Sequence, residues 1–274
     1  MKRIILCADD YGQDPAISAG ILTLIKRNRI SATTCLVNTP HWENLAKPLI
    51  PCQREVEIGL HFNLTEGHAL SKEYIEYYGI NFFSLPSLIK RAFLRQLNSS
   101  VIAFEFEAQI KQFVSELGFW PHFIDGHHHV HQLPAIREAL IQVYLKTLGP
   151  HHPYIRLVNE KIYWFDSIHK NLKKLMIHAT GAGALKRLLE QHNMPHNHSF
   201  AGIYSFGKAK NYGHVFRGFL KGVKDGAMIM CHPGFLSPSP MGAARHHEYL
   251  YLASDEFLTD CDVYDIKLSH FNSV

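Results

Sequence analysis

Short apolar runs alternate with longer helical patterns along this chain, and that alternation restricts the fold more than any other feature. Residues 3–8 read as a buried strand. Asp14-Pro15 then supplies an N-cap and a first helical residue for a helix reaching about Arg29. Residues 32–37 and 56–60 are a second and third strand, with a helix beginning near His41 between them. Residues 105–117 carry a helical period that stops at Gly118, a C′ position. Residues 122–125 are a fourth strand, followed by a helix with Pro134 near its start, and residues 154–158 and 227–231 are later strands. Strand–helix alternation builds parallel βαβ units. At least six of them in an undivided chain of 274 residues favour an α/β fold of the (β/α) barrel type, complete or incomplete, over an open doubly wound sheet. The first βα turn, Ala8-Asp9-Asp10-Tyr11-Gly12, lacks the Gly-x-Gly-x-x-Gly of a dinucleotide fold. No linker or repeat divides the sequence, so residues 1–274 are read as one domain. Residues 71–100 and 171–211 fit the alternation poorly and are read as loop insertions over a site or as packing surface.

The chemically capable residues fall where those strands end. Asp9 and Asp10 close the first strand, His61 the third, Asp125 and His127 the fourth, Arg156 the fifth and His232 the last. In a (β/α) barrel the C-terminal strand ends meet at one face, where active sites are built. Histidine is abundant, with 20 residues against 24 Asp and Glu together, and imidazole is the commonest metal ligand. The net charge of +4 is too mild to argue for nucleic acid or a membrane surface. The apolar run from Ile4 to Ala8 is too short for a signal-peptide core, and no stretch approaches the roughly 20 apolar residues of a membrane span. Five cysteines without a CxxC spacing suit buried thiols, so a cytoplasmic protein is expected.

Two adjacent carboxylates at one site repel unless a cation or a division of labour separates them. One of Asp9 and Asp10 can bind a metal while the other accepts a proton; the plainer role, a helix N-cap, already belongs to Asp14. In Phe123-Ile124-Asp125-Gly126-His127-His128-His129-Val130-His131, strand alternation puts Asp125, His127, His129 and His131 on one face. Which imidazoles would ligate and which would support a ligand from behind stays open here. One Asp with two His leaves positions open, as in catalytic rather than structural sites. His232, in Met230-Cys231-His232-Pro233-Gly234, suits a general acid or a loop histidine.

These residues also carry a resemblance. Ala8-Asp9-Asp10-Tyr11-Gly12, residues 32–38, Gly59-Leu60-His61-Phe62-Asn63-Leu64-Thr65 with Gly67, and residues 125–131 match in order; Arg156-Leu157-Val158-Asn159-Glu160, Cys231-His232-Pro233-Gly234, and Arg245 with Glu248 continue the match. Together they resemble the YdjC-like carbohydrate deacetylases, the family of chitooligosaccharide deacetylase and of the hopanoid-linked N-acetylglucosamine deacetylase. The motifs run from residue 8 to about 252. Asn159 departs from the family, standing where proline is commoner, and residues 171–211 are longer than expected. The resemblance implies a distorted (β/α) barrel related to polysaccharide deacetylases. It implies Asp10, His61 and His127 as ligands of one divalent metal, Asp9 as general base and His232 as general acid. Arg156 would orient or charge-balance Asp9, with Asp125, His129 and His131 behind the ligands. Substrate contacts are expected from Tyr11, Asn38 and Asn63, and from exposed aromatics such as Trp42 and those in residues 74–83.

The expected reaction is metal-dependent removal of an N-acetyl group from an amino sugar by an activated water. Two imidazoles favour zinc, whereas family members are described with magnesium, and both are kept. The partner is an N-acetylated sugar, with no nucleic acid and a homodimer as the assembly considered. The rivals are a metal-dependent phosphoesterase or cyclic amidohydrolase on the same barrel, and a non-catalytic metal- or sugar-binding protein.

Overall fold

The computed structural model describes residues 1–159 and 181–271. β1 (Lys2–Tyr11) is the axis of a parallel sheet completed, among the described residues, by β2 (Ala32–Cys35), β3 (Glu57–Phe62), β4 (Phe123–Gly126), β5 (Tyr154–Ile155), β6 (Phe200–Ala201), β7 (Ala227–Cys231) and β8 (Ile266–Leu268). The strand order is β5-β4-β3-β2-β1-β7-β6, with β8 alongside the start of β1. The sheet curls into a distorted barrel. Residues 195–201 join its two edges. Ile155 donates to Pro195 O at 2.8 Å and bridges His196, while Phe200 and Ala201 pair with Met228 and Ile229 of β7. Asn197 completes the join with its side chain, which accepts from Leu157 N and donates to Leu157 O, both at 2.7 Å. The backbone ladder to β4 therefore stops after Arg156 N, which donates to Ile124 O at 2.9 Å, because the side-chain amides of Asn197 and Gln132 replace it at Leu157 and Val158, short of the strand expected to 158. Similarly, β2 stops at Cys35 and not at Val37.

Strand parity sorts the core into two layers. Ile4, Leu6 and Ala8 of β1 pack toward the helices, whereas Ile5 and Cys7 belong to a second cluster with Phe123, Phe200, Met228 and Met230 inside the barrel. The inward series continues past the apolar residues, to Asp9 from β1, Asp125 from β4 and His232 beyond β7. His61 of β3 stands in the inward phase between the outward Leu60 and Phe62. Alternation thus turns the barrel interior from apolar at the bottom to ionisable at the C-terminal mouth.

The helices follow local signals. α1 (Pro15–Lys26) starts where Asp14 Oδ1 accepts from Ala16 N at 2.7 Å, with Pro15 in the first turn, and it ends three residues before Arg29. α2 (Trp42–Ala46) is one turn. Residues 71–100, expected as irregular, hold α3 (Lys72–Tyr78), capped by the Ser71 side chain, and α4 (Leu85–Phe93), with Pro86 in its first turn. α5 (Ser99–Leu117), capped by the Asn98 side chain, begins earlier than its apolar period suggests and ends at left-handed Gly118. Of the segment 171–211, residues 171–180 lie outside the described residues; helix Ala182–Gln191 and β6 occupy part of the rest.

Candidate active site

The inward series of β1 ends at Asp9, and the next residue breaks the pattern. Regular alternation would send Asp10 toward the helices. Instead its φ is 71°, and the β1–β2 register slips between Ala8 and Tyr11. A bulge of this kind re-aims a side chain. The left-handed conformation costs on the order of 1–3 kcal/mol, a strain found mainly where function over-determines the backbone, and aspartate tolerates it better than most residues. Two neighbouring carboxylates consequently share one mouth.

They have different partners there. Asp10 Oδ1 lies 3.3 Å from His61 Nε2 and 3.1 Å from His127 Nδ1, and Oδ2 accepts from Arg245 Nη2 at 2.6 Å. Asp9 is gripped by Arg156, whose Nη1 and Nη2 donate to its two oxygens at 2.6 and 2.7 Å. Arg156 is fully buried and also reaches Asp125 Oδ2 at 2.8 Å. Burial disfavours that guanidinium charge, but Asp125 and Asp9 outweigh burial and hold its pKa well above the ordinary value. Asp125 also accepts from Thr34 Oγ1 at 2.8 Å and lies 2.6 Å from His61 Nδ1. Burial pushes its carboxyl up, and Arg156 and His61 overcome this to hold it low.

Asp10, His61 and His127 are buried, and their donor atoms lie within 4.8 Å of one another. Asp10 Oδ1 has no aligned hydrogen-bond partner although two imidazole nitrogens face it. Burial pushes the Asp10 carboxyl up, but Arg245 and His127 hold it well below the carboxylate range. His61 is pulled down by burial and raised by Asp125 and Asp10, to about 10. His127 is likewise raised by Asp10 and Glu66 against burial. An ionised carboxylate that draws positive charge onto two imidazoles, with an orphaned oxygen between them, fits a divalent cation. One oxygen and two nitrogens suit zinc or a similar late transition metal.

The histidine run departs from its expected shared face. β4 ends at Gly126, and His127–Gln132 form a 3-10 turn in which His128 and His129 have φ of 53° and 60°. A Cβ at position 126 would stand 2.8 Å from His131 Nδ1 and 2.9 Å from His131 N, so glycine lets the turn fold back this tightly. His127 reaches Asp10, His129 lines the cavity, and His131 passes beneath to donate from Nε2 to Arg156 O at 2.8 Å. Burial lowers His129 well below its ordinary value and His131 to about 4, so both are neutral bases at pH 7.

A cavity of about 500 Å³ opens over this cluster. His232 lines it, and burial, reinforced by Arg245 against Asp10 and Asp9, lowers the imidazole to about 4. Leu85, Ile89 and Phe93, spaced by four on α4, form an apolar wall with Phe206 and Met241. The aromatics expected at the sugar are elsewhere. Tyr11, Trp42 and Tyr74 are core residues, and the Tyr11 hydroxyl donates to Leu45 O at 2.7 Å. Asn38 and Asn63 also stay outside the cavity. Asn63 Oδ1 accepts from Thr65 N and Glu66 N, and both amides donate to Glu66 O. They shape the loop after β3, and that loop carries Glu66 into the cavity wall. Glu66 and Gln13 were not singled out from the sequence. Only their position just beyond strand ends marks them, and many loop residues share it.

Glu248 is a third residue whose contacts appear only in the fold. Fully buried, it accepts from His232 N at 2.6 Å and from the Tyr204 hydroxyl. Burial raises its carboxyl to about 7 from an ordinary 4.5. The folded chain then binds a proton that the unfolded chain releases, so this contribution is complete below pH 4.5 and is lost as pH rises through 7. The shift corresponds to about 3 kcal/mol. Urea denaturation at pH 5 and pH 8 should show the wild type losing more stability over this interval than Glu248→Gln; equal losses contradict the assignment.

Residues 3–262 match the YdjC-like protein family. The chain belongs to that family. A carbohydrate deacetylase of Clostridium beijerinckii is 33% identical over 147 residues, covering 52% of this chain and 56% of that protein. A mouse carbohydrate deacetylase is 25% identical over 282 residues, covering 95% and 87%. The chain thus spans little more than half the length of the Clostridium relative. Among solved structures, an Enterococcus faecalis V583 protein described as a cellobiose-phosphate cleavage protein superposes with a TM-score of 0.72 at 21% identity, covering 99% of this chain and 98% of that one. The two chains therefore share their fold over nearly their whole lengths, and among the described residues no helix is long and apolar enough to cross a membrane.

Proposed function

We propose that this YdjC-like chain is a metal-dependent hydrolase that removes the N-acetyl group from an N-acetylated amino sugar. The observation that carries this reading is the separation of two adjacent aspartates. Asp10 faces two imidazoles, while Asp9 is held apart on a buried arginine in the same cavity. The names of the Clostridium and mouse relatives support it.

Asp10, His61 and His127 would hold one divalent cation, zinc or magnesium. Such a cation, when bound, supplies Lewis acidity to the acetyl carbonyl and lowers the pKa of a water. Asp9 accepts the proton of the attacking water, and the Arg156 fork fixes which way its oxygens point. Arg245 keeps Asp10 ionised. His232 gives a proton to the departing amine. Burial leaves it neutral in the resting cavity against the opposing charge of Asp10 and Asp9, so the proton that Asp9 takes from the water must pass to His232 before the amine leaves. Leu85, Ile89, Phe93 and Phe206 offer apolar surface to the C–H faces of the sugar, replacing the buried aromatics in that role.

Acetate release from diacetylchitobiose and a panel of N-acetylated amino sugars tests this directly. Release should require added zinc or magnesium and stop with chelator. No release from any sugar in metal-loaded protein sinks the proposal. Two metal ions per chain together with phosphoester hydrolysis would favour the rival barrel hydrolase instead.

A further inference from the structure

Both nitrogens of the His127 ring face a carboxylate. Nδ1 is 3.1 Å from Asp10 Oδ1, and Nε2 is 3.2 Å from Glu66 Oε1. The second contact matters because Nε2 is buried and has no aligned hydrogen-bond partner. His61 shows the same plan with its nitrogens exchanged: Nε2 faces Asp10 while Nδ1 meets Asp125 at 2.6 Å. Each imidazole beside Asp10 therefore has an acid at its far side. A carboxylate there fixes the tautomer and orientation of a metal-binding histidine and raises its basicity.

Glu66 is itself tied back to the cluster. Its Oε2 accepts from Gln13 Nε2 at 2.8 Å, Gln13 Oε1 accepts from Arg245 Nη2 at 3.1 Å, and the same Nη2 donates to Asp10 Oδ2 at 2.6 Å. The contacts close a ring: Asp10, Arg245, Gln13, Glu66, His127 and back to Asp10. The Gln13 amide can serve it in only one orientation, oxygen toward the guanidinium and nitrogen toward the carboxylate. The asparagine-braced loop after β3 brings Glu66 into this ring.

We infer that Glu66 is a positioning residue that acts through His127, holding Nε2 as the protonated nitrogen so that Nδ1 is committed to the Asp10–His61 cluster. The inference rests on the metal-centre part of the proposed function but not on the sugar substrate. The half-exposed position of Glu66 at the cavity rim gives a competing outcome, in which Glu66, His127 and His128 themselves hold a second cation, since their donor atoms also lie within 4.8 Å of one another.

Zinc alone is the probe. Its affinity is measured on the full chain by competition with a chromophoric chelator, for wild type, Glu66→Gln, Glu66→Ala and Gln13→Ala. Glu66→Ala should bind zinc about 10–100-fold more weakly. Glu66→Gln, which keeps an acceptor oxygen without the charge, should lie between it and wild type. Nitrogen-15 NMR of zinc-loaded wild type should show His127 protonated at Nε2 and metal-bound at Nδ1. That protonation preference should weaken in Glu66→Ala. If Glu66→Ala does not fold, Glu66→Gln and Gln13→Ala carry the same comparison. Unchanged zinc affinity and an unchanged His127 tautomer in the variants overturn the inference, as does a second zinc per chain abolished by Glu66→Gln. Tight zinc binding without acetate release would count against the deacetylase reading and leave this one standing.

Discussion

An Asp9→Asn variant should bind zinc as the wild type does and lose about 10²–10⁴-fold in acetate release. The asymmetry follows from the bulge at Asp10. Asp9 contacts Arg156, whereas Asp10 contacts both imidazoles, so removing the Asp9 charge leaves the cation donors in place. Asp10→Ala should do the reverse and abolish zinc binding first. Zinc titration and acetate release on the same preparations distinguish the two. An Asp9→Asn enzyme within tenfold of wild type would remove Asp9 from the base role, and one that no longer binds zinc would show that the two aspartates are not divided in function.

The largest effect on stability is expected at Arg156. Its guanidinium is fully buried between Asp9 and Asp125, and Arg156→Leu strands Asp9 away from water while leaving Asp125 to His61 and Thr34. Removing one partner of a buried ion pair typically costs about 3–5 kcal/mol, so this variant should lose at least that range in denaturant unfolding. Arg156→Lys should also be impaired, because one ammonium cannot make two parallel bonds to Asp9. Adding Asp9→Asn to Arg156→Leu should recover part of the loss, since the stranded charge at Asp9 disappears. If the double variant is no more stable than the single one, the penalty lies elsewhere than in Asp9.

These two predictions draw on parts of the site that differ in how readable they are. The helix cap at Asp14, the stop at Gly118 and the β1, β3 and β7 apolar runs follow from local rules and stand close to where the residue pattern puts them. Residues 71–100 are less legible, because α3 and α4 span only seven and nine residues and each shows its period over about two turns. Tyr11 and Trp42 illustrate a different limit. An aromatic next to a reactive motif looks like a sugar platform until packing shows it filling the core, and composition cannot separate those roles.

What the sequence by itself determined is the alternation of strands with helices and the chemistry that falls at the strand ends. Each depends on residues near in the chain. The tertiary structure alone decided which of these groups touch: the bulge that turns Asp10 back beside Asp9, the turn that divides the histidine run, and the charges brought by Arg156, Arg245 and Glu66. Those contacts join residues as far apart as Asp10 and Arg245, and no local propensity encodes them. Barrel closure brings the strand ends together, and burial then makes each unpaired charge costly enough to require the partner that the fold supplies.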